Sequence, residues 1–126
     1  MERICSLQVR WEDAKIEPED MKLCGTILGT SGAAKLKEIQ DNAMATQPHH
    51  IPMLFMLDVI NGFQTIFPIP LAQGCSFEPE IARKGAQIAA KEAAASGLHV
   101  TFAPMADLVR DARWGRVMES PGRIRI

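Results

Sequence analysis

The run IPMLFMLD, Ile51 to Asp58, joins seven consecutive apolar residues to a single carboxylate. A continuous apolar run of this length predicts a strand buried on both faces of a parallel sheet, because a strand with one wet face would alternate apolar and polar residues. Ligands bind at the carboxyl ends of the strands in parallel α/β folds. Asp58 is therefore the first candidate for a binding residue.

A helix is predicted upstream of this strand. Apolar residues recur there at three- and four-residue spacing, with charged residues between them, and the pattern closes near Gln47 and Pro48. The apolar positions are Ala33, Leu36, Ile39, Ala43 and Met44. A flexible turn from Gly29 to Gly32 precedes the helix, and a short strand is expected before it, over Lys22 to Leu28.

Downstream of Asp58, two prolines break the apolar run from Ile66 to Leu71, which predicts an irregular connection. A second helix is expected to begin near Pro79 and to end at Gly97. The candidates for its N-cap are Ser76 and Glu78. Another buried strand is expected over Leu98 to Ala103.

This alternation of helices and strands predicts a parallel α/β fold. Two or three strands make neither a closed barrel nor a well-covered sheet. A (β/α)8 barrel needs on the order of 200 residues or more, so a chain of 126 residues is short by about half. Length alone thus indicates a fragment.

The composition excludes several classes of partner. The chain is 47% hydrophobic and 23% charged with a net charge of −1, and its basic residues are scattered apart from a small cluster between Arg110 and Arg125, so no nucleic acid partner is expected. No apolar run approaches the roughly 20 residues of a membrane span. The start at Met1 lacks the apolar core of a secretory signal, from which a cytoplasmic location is expected.

No metal or organic cofactor is expected either. The three cysteines are widely spaced and form none of the close pairs that zinc or redox motifs require. They are Cys5, Cys24 and Cys75. The adjacent His49 and His50 are expected to lie in a solvated turn. His99 is expected to be a hydrogen-bonded histidine of the core or of a strand edge.

A second cluster of polar residues lies in RDARWGR, residues 110–116, shortly after the segment Phe102 to Asp107. Carboxylates and a guanidinium are suited to the vicinal hydroxyls of a sugar, and Trp114 offers an apolar ring face. A structural Asp–Arg ion pair around a buried Trp explains the same residues. Spacing alone leaves both interpretations open.

Two segments together resemble the family 3 glycoside hydrolases. IPMLFMLDVINGFQTIFPIPLA, from Ile51, is similar to that family's strand ending in Asp-x-x-His-Gly, followed by an aromatic residue and a Phe-Pro turn. FAPMADLVRDARWGRVMES, from Phe102, resembles its Phe-Ala-Pro-x-x-Asp and Arg-Asp-x-Arg-Trp-Gly-Arg elements in the same order. The resemblance covers about Gly25 to Ser120 and is closest in character to bacterial β-glucosidases.

This resemblance implies an incomplete (β/α)8 TIM-type barrel from a retaining β-glucosidase, which hydrolyses terminal β-D-glucosyl residues of small β-glucosides or oligosaccharides. Asp58 and Arg116 match the positions that bind the glucosyl unit. The nucleophile and the acid/base residue of the family come from later segments, the latter in many members from a downstream α/β domain, so no catalytic residue is expected here. Asn61 stands where the family has His. The alternative is a non-catalytic carbohydrate-binding or structural α/β fragment.

The resemblance also divides the chain into an amino-terminal segment (1–24), a partial barrel domain (25–120) and an aberrant tail (121–126). After Ser120 the family continues Thr-Gly-Glu-Asp-Pro-Tyr-Leu-Asn, whereas this chain ends Pro-Gly-Arg-Ile-Arg-Ile. Possible codons for the family sequence, read one base out of register, encode these six residues and then a stop. A frameshifted, truncated reading frame is therefore expected.

Overall fold

The computed structural model describes residues 5–8 and 22–122 of the chain. Along these residues the elements are β1 (Cys5–Gln8), β2 (Cys24–Leu28), α1 (Ala33–Thr46), β3 (Leu54–Leu57), α2 (Pro70–Gly74), α3 (Pro79–Ala95), β4 (Val100–Thr101) and a 3-10 helix (Val117–Glu119). The tail beyond Gly122 lies outside the described residues, and the division of the chain into three segments stays a prediction.

The strands form one parallel sheet whose spatial order follows the chain, β1-β2-β3-β4. Ile27 of β2 lies opposite Phe55 of β3, and Met56 lies opposite Val100 of β4. The expected parallel α/β class is confirmed. β1, within the amino-terminal segment, pairs with β2 and so belongs to the same sheet.

The chain divides into two compact units. The first unit, Met1–Asp58 with Ala94–Thr101, contains the sheet and α1, and the second unit, Val59–Ala93 with Phe102–Ile126, contains α2, most of α3 and the 3-10 helix. Asp58 is the last residue of the first unit before the chain enters the second.

The core of the first unit is built from one stripe of α1 and from residues of β2 and β3. Its buried residues include Leu36, Ile39 and Ala43 of α1 together with Cys24, Ile27 and Phe55 of the strands. Two glutamines, one in α1 and one directly after its last residue, form hydrogen bonds with backbone groups of neighbouring segments. The Gln40 side chain accepts from the Met53 N–H (3.0 Å), and Gln47 Nε2 donates to the Cys24 carbonyl (2.8 Å).

The expectation that the Ile51 to Leu57 run is buried on both faces is wrong. Pairing begins only at Leu54, and Leu54 is 45% exposed whereas Phe55 is 2% exposed. Successive side chains of a strand point to opposite faces, so Phe55 enters the core and Leu54 lies on the other face. The expected strand over Leu98 to Ala103 is likewise shorter, with only Val100–Thr101 paired.

α3 begins and ends where the sequence predicts. Glu78 caps it, since its Oε1 accepts from the Glu80 N–H at 3.4 Å, and Gly97 follows the last turn with φ 90°. Its buried residues are Gly85, Ala89 and Ala93, one stripe of small side chains. The short helix α2 is not predicted: Pro70, which reads as a breaker, occupies the first helical turn, where the missing N–H costs nothing.

The two faces of β3 give the first test. Phe55→Ala should lower the free energy of unfolding by about 3–5 kcal/mol, because it removes a buried ring and leaves a cavity. Leu54→Ala, on the same strand, should cost about 1 kcal/mol or less because its side chain is half exposed. Urea denaturation followed by circular dichroism measures both. Equal losses would contradict the assignment of the two faces.

Candidate functional site

Asp58 directly follows β3, with its backbone fixed and its side chain exposed. Thr101 Oγ1 of β4 donates a 2.9 Å hydrogen bond to the Asp58 carbonyl. Within the first unit, no described residue donates a hydrogen bond to the Asp58 carboxylate or forms an ion pair with it. The carboxylate is therefore available to a ligand while its backbone is held by the sheet.

Backbone strain marks the next residue. Val59 has φ 52°, in the left-handed region that β-branched residues avoid. Such a conformation costs on the order of 1–3 kcal/mol and persists only where the surroundings enforce it. The chain thus leaves the Asp58 position through an enforced turn.

The segment Val59–Phe67, here called the β3 loop, closes on itself in the second unit. The Phe67 N–H donates to the Asn61 carbonyl at 2.8 Å. Gly62 has φ 111°, and a Cβ atom there would lie 2.0 Å from the Thr65 carbonyl oxygen. Only glycine fits at this position, and the Asn61 backbone forms the base of the loop.

Glu92 of α3 attaches the β3 loop to the helix. The N–H groups of Gln64 and Thr65 each donate to Glu92 Oε2 at 2.9 Å, and Thr65 Oγ1 donates to Oε1 at 2.6 Å. The Thr65 hydroxyl and amide, together with the Gln64 amide, hold the pKa of the Glu92 carboxyl below its usual range, although partial burial opposes this. The negative form of Glu92 is the one that binds the loop.

An ion pair lies beside Trp114 in the second polar segment. Arg113 Nη2 and Asp111 Oδ2 are 2.6 Å apart, and Arg113 Nε donates to Oδ1 at 3.0 Å. This pairing lowers the pKa of Asp111 and raises that of Arg113. The ion pair that the structural interpretation requires is present, but the Trp114 that it expects to be buried is 38% exposed. Its ring remains accessible.

Arg116 is exposed and is oriented by Glu119. Its Nε and Nη2 atoms both donate to Glu119 Oε2, at 3.0 and 2.7 Å. The 3-10 helix that carries Glu119 is followed by the fully buried Ser120, whose hydroxyl donates to the Asp107 carbonyl at 2.6 Å. The guanidinium is therefore held on a segment with a buried anchor.

Of the residues predicted from the sequence, Asp58 lies in the first unit and Arg116 in the second. Sequence reasoning missed Glu92. A signal for it exists, because Glu92 lies seven residues after the buried Gly85 and next to the buried Ala93. A carboxylate beside the buried stripe of a helix needs a partner.

Across residues 5–8 and 22–122, no group of three or more His, Cys, Asp or Glu side chains could hold a metal ion. His49 and His50 are exposed. His99 is an edge histidine as expected, with Nδ1 accepting from the Phe55 N–H at 3.2 Å. Among the described residues, none of the helices combines the length and hydrophobicity of a bilayer crossing.

Known proteins are similar to this chain in sequence. The family model "Glycosyl hydrolase family 3 N terminal domain" matches residues 7–123. The periplasmic beta-glucosidase of Salmonella typhimurium is 41% identical over 98 residues, which cover 78% of this chain and 13% of the relative. A putative beta-xylosidase of Formosa agariphila is 32% identical over 116 residues, which cover 88% of this chain and 15% of the relative.

A solved structure is similar as well. The beta-glucosidase of Listeria innocua in complex with glucose superposes with a TM-score of 0.79 at 50% identity, over 89% of this chain and 16% of that one. The chain therefore spans between 13% and 16% of the length of these three relatives.

The expected cytoplasmic location is contradicted by the Salmonella relative, which is a periplasmic enzyme. The inference rested on the absence of an apolar leader after Met1. The first residues of a chain that spans so small a part of its relatives carry no information about the compartment.

The lowered pKa of Glu92 gives the second test. A carboxyl whose folded pKa is depressed adds stability above its unfolded pKa, and that stability is lost as the pH falls through the folded pKa. The β3 loop carries no ionisable side chain, and Lys91 is the adjacent charge on α3. The amide proton shifts of Gln64 and Thr65, followed by NMR, should titrate together with a midpoint below the ordinary value of 4.5. Glu92→Gln should abolish this titration, and a midpoint at or above 4.5 would contradict the assignment.

Proposed function

Because the chain belongs to glycosyl hydrolase family 3, whose N-terminal domain it matches, we propose that it is the amino-terminal part of a retaining β-glucosidase. In this proposal it carries part of the subsite that binds a terminal β-D-glucosyl unit. The parent enzyme acts on small β-glucosides or oligosaccharides, without a metal or organic cofactor, and continues into a downstream α/β domain.

The proposed architecture is an incomplete (β/α)8 barrel. The sequential parallel strand order supports it, because each barrel strand pairs with the next one along the chain, whereas an open doubly wound sheet reverses its order at a switch point. The half-exposed Leu54, on the face opposite the core, supports it as well. In a closed barrel that face would pack against the interior side chains of further strands.

The observation that carries the proposed binding role is the exposed Asp58 carboxylate on a fixed strand end. A carboxylate accepts hydrogen bonds from two neighbouring sugar hydroxyls, and such charge-assisted bonds are stronger than neutral ones. On the strength of the family motif, Arg116 is proposed to donate to a glucosyl hydroxyl, with Glu119 orienting its guanidinium. The glucose complex of the Listeria relative supports this class of ligand.

We propose that both catalytic carboxylates lie outside this chain. Retention requires a nucleophile and an acid/base residue about 5–5.5 Å apart across the scissile bond. In the second unit, Asp111 is paired with Arg113 and Glu119 with Arg116. An acid/base residue needs a raised pKa, and the pairing of Asp111 lowers its pKa instead.

A second candidate function is carbohydrate binding without hydrolysis. The exposed Asp58 carboxylate of the first unit favours it, and so, separately, does the exposed Trp114 ring of the second, since each is a group that can bind a sugar. An aryl β-glucoside assay on the product of the gene with its reading frame restored after Ser120 separates the candidates, because turnover by that product requires an enzyme whereas glucose binding without turnover indicates a binding module.

The third test addresses Asp58. Asp58→Asn should weaken glucose binding by the chain about tenfold or more, since loss of a hydrogen bond to a charged group costs about 1.5–3 kcal/mol. NMR titration with glucose measures the Kd. The control is Asp41→Asn, which removes an exposed carboxylate of α1 that pairs with Lys37. An unchanged Kd in Asp58→Asn would remove Asp58 from the binding site.

The fourth test addresses the missing catalytic groups. The 126-residue chain should hydrolyse an aryl β-glucoside no faster than background. A gene repaired by a single-base shift after the Ser120 codon should encode Thr-Gly-Glu-Asp-Pro-Tyr and a long continuation, and its product should release glucose with retained anomeric configuration. Proton NMR identifies the anomer released first. Clear turnover by the short chain would refute the proposal, as would genomic DNA without a continuing frame.

A further inference from the structure

The β3 loop does not hold its own shape through regular secondary structure. It begins at Val59, in a left-handed conformation that a β-branched residue avoids, and passes through Gly62, where no other residue fits. Its internal pairings include short bridges from Gly62 to Ile60 and Ile66, besides the hydrogen bond from Phe67 to Asn61. A segment with a strained start needs an external attachment to stay in one conformation.

α3 provides that attachment at two points. Phe67 lies against Gly85, where an added Cβ would be 3.6 Å from the ring. Two turns further along the helix, about 10 Å away, Glu92 accepts hydrogen bonds from Gln64 and Thr65. One contact is apolar and the other is charge-assisted, so together they fix both the position and the direction of the loop.

We propose that Glu92 is a positioning residue for sugar binding, which fixes the β3 loop on α3 and thereby fixes the chain that continues from Asp58. This inference rests on the proposed binding role of Asp58. Glu92 touches no sugar in this proposal. It acts through the covalent chain, since Val59 is both the first residue of the loop and the neighbour of Asp58.

The test compares a variant that removes the attachment with a variant that keeps its length and its hydrogen-bonding capacity. Glu92→Ala deletes all three hydrogen bonds, whereas Glu92→Gln keeps an acceptor oxygen and a side chain of the same length. The matched control is Glu80→Ala, which removes a carboxylate of the same helix that pairs with Arg83. Thr65→Val removes only the hydroxyl contact and serves as a milder second variant.

Two quantities are measured for each variant: the hydrogen-exchange protection of the Gln64 and Thr65 amides, and the Kd for glucose by NMR titration. Glu92→Ala should lose the protection and bind glucose about tenfold more weakly, because only the fraction of molecules with the loop in its attached conformation would be competent to bind. Glu92→Gln should recover most of the affinity, and Glu80→Ala should match the parent chain. If Glu92 contributed only to the overall stability of the chain, Glu92→Ala and Glu92→Gln would bind glucose equally well whenever both variants are folded.

Three results would overturn the proposal. If Glu92→Ala frees the loop but leaves the Kd unchanged while Asp58→Asn weakens binding, the proposed function stands and the positioning role falls. If Asp58→Asn leaves the Kd unchanged, the proposed function falls and takes the positioning role with it. If Glu92→Ala does not fold, Thr65→Val decides, and unchanged protection and Kd in that variant would refute the role of the attachment.

Discussion

The candidate site depends on the parallel pairing of β3 along both of its edges. On one side, Ile27 and Phe55 lie in register, and the Gly29 N–H extends the pairing by donating to the Met56 carbonyl at 3.1 Å. On the other side, Thr101 donates to the Asp58 carbonyl. A slip of this strand by one residue would break the pairing on both edges and turn Phe55 out of the core. The backbone of Asp58 is thus fixed by pairing, which leaves the carboxylate available for binding.

α3 has a corresponding role in the second unit. Its stripe of small residues, Gly85, Ala89 and Ala93, lets other segments approach closely, and Phe67 contacts the helix at Gly85. Small residues provide access but no directional bonds. Glu92, beside this stripe, adds three hydrogen bonds to the loop. α3 therefore contacts the β3 loop at two separate positions, through an apolar contact at Gly85 and through charge-assisted hydrogen bonds at Glu92.

The sequence predicted the long helices well and the strands less well. α1 and α3 follow a 3.6-residue periodicity and are bounded by residues with clear physical preferences, such as Pro79 at the start of α3. An apolar run has no such boundaries, so the strand predicted from Ile51 pairs only from Leu54. Asp58 and Arg116 were predicted from motifs in the sequence. Glu92 was missed because its partners lie 27 and 28 residues away, beyond the reach of any local pattern.

Asn61 shows why a departure from the family motif is compatible with the same loop. Its contribution to loop geometry is its backbone carbonyl, which accepts from the Phe67 N–H, and any side chain leaves that bond intact. What changes is charge, because an amide cannot take up a proton near neutral pH whereas an imidazole can. The substitution therefore leaves the backbone bond that closes the loop unchanged and removes a group that could titrate at this position.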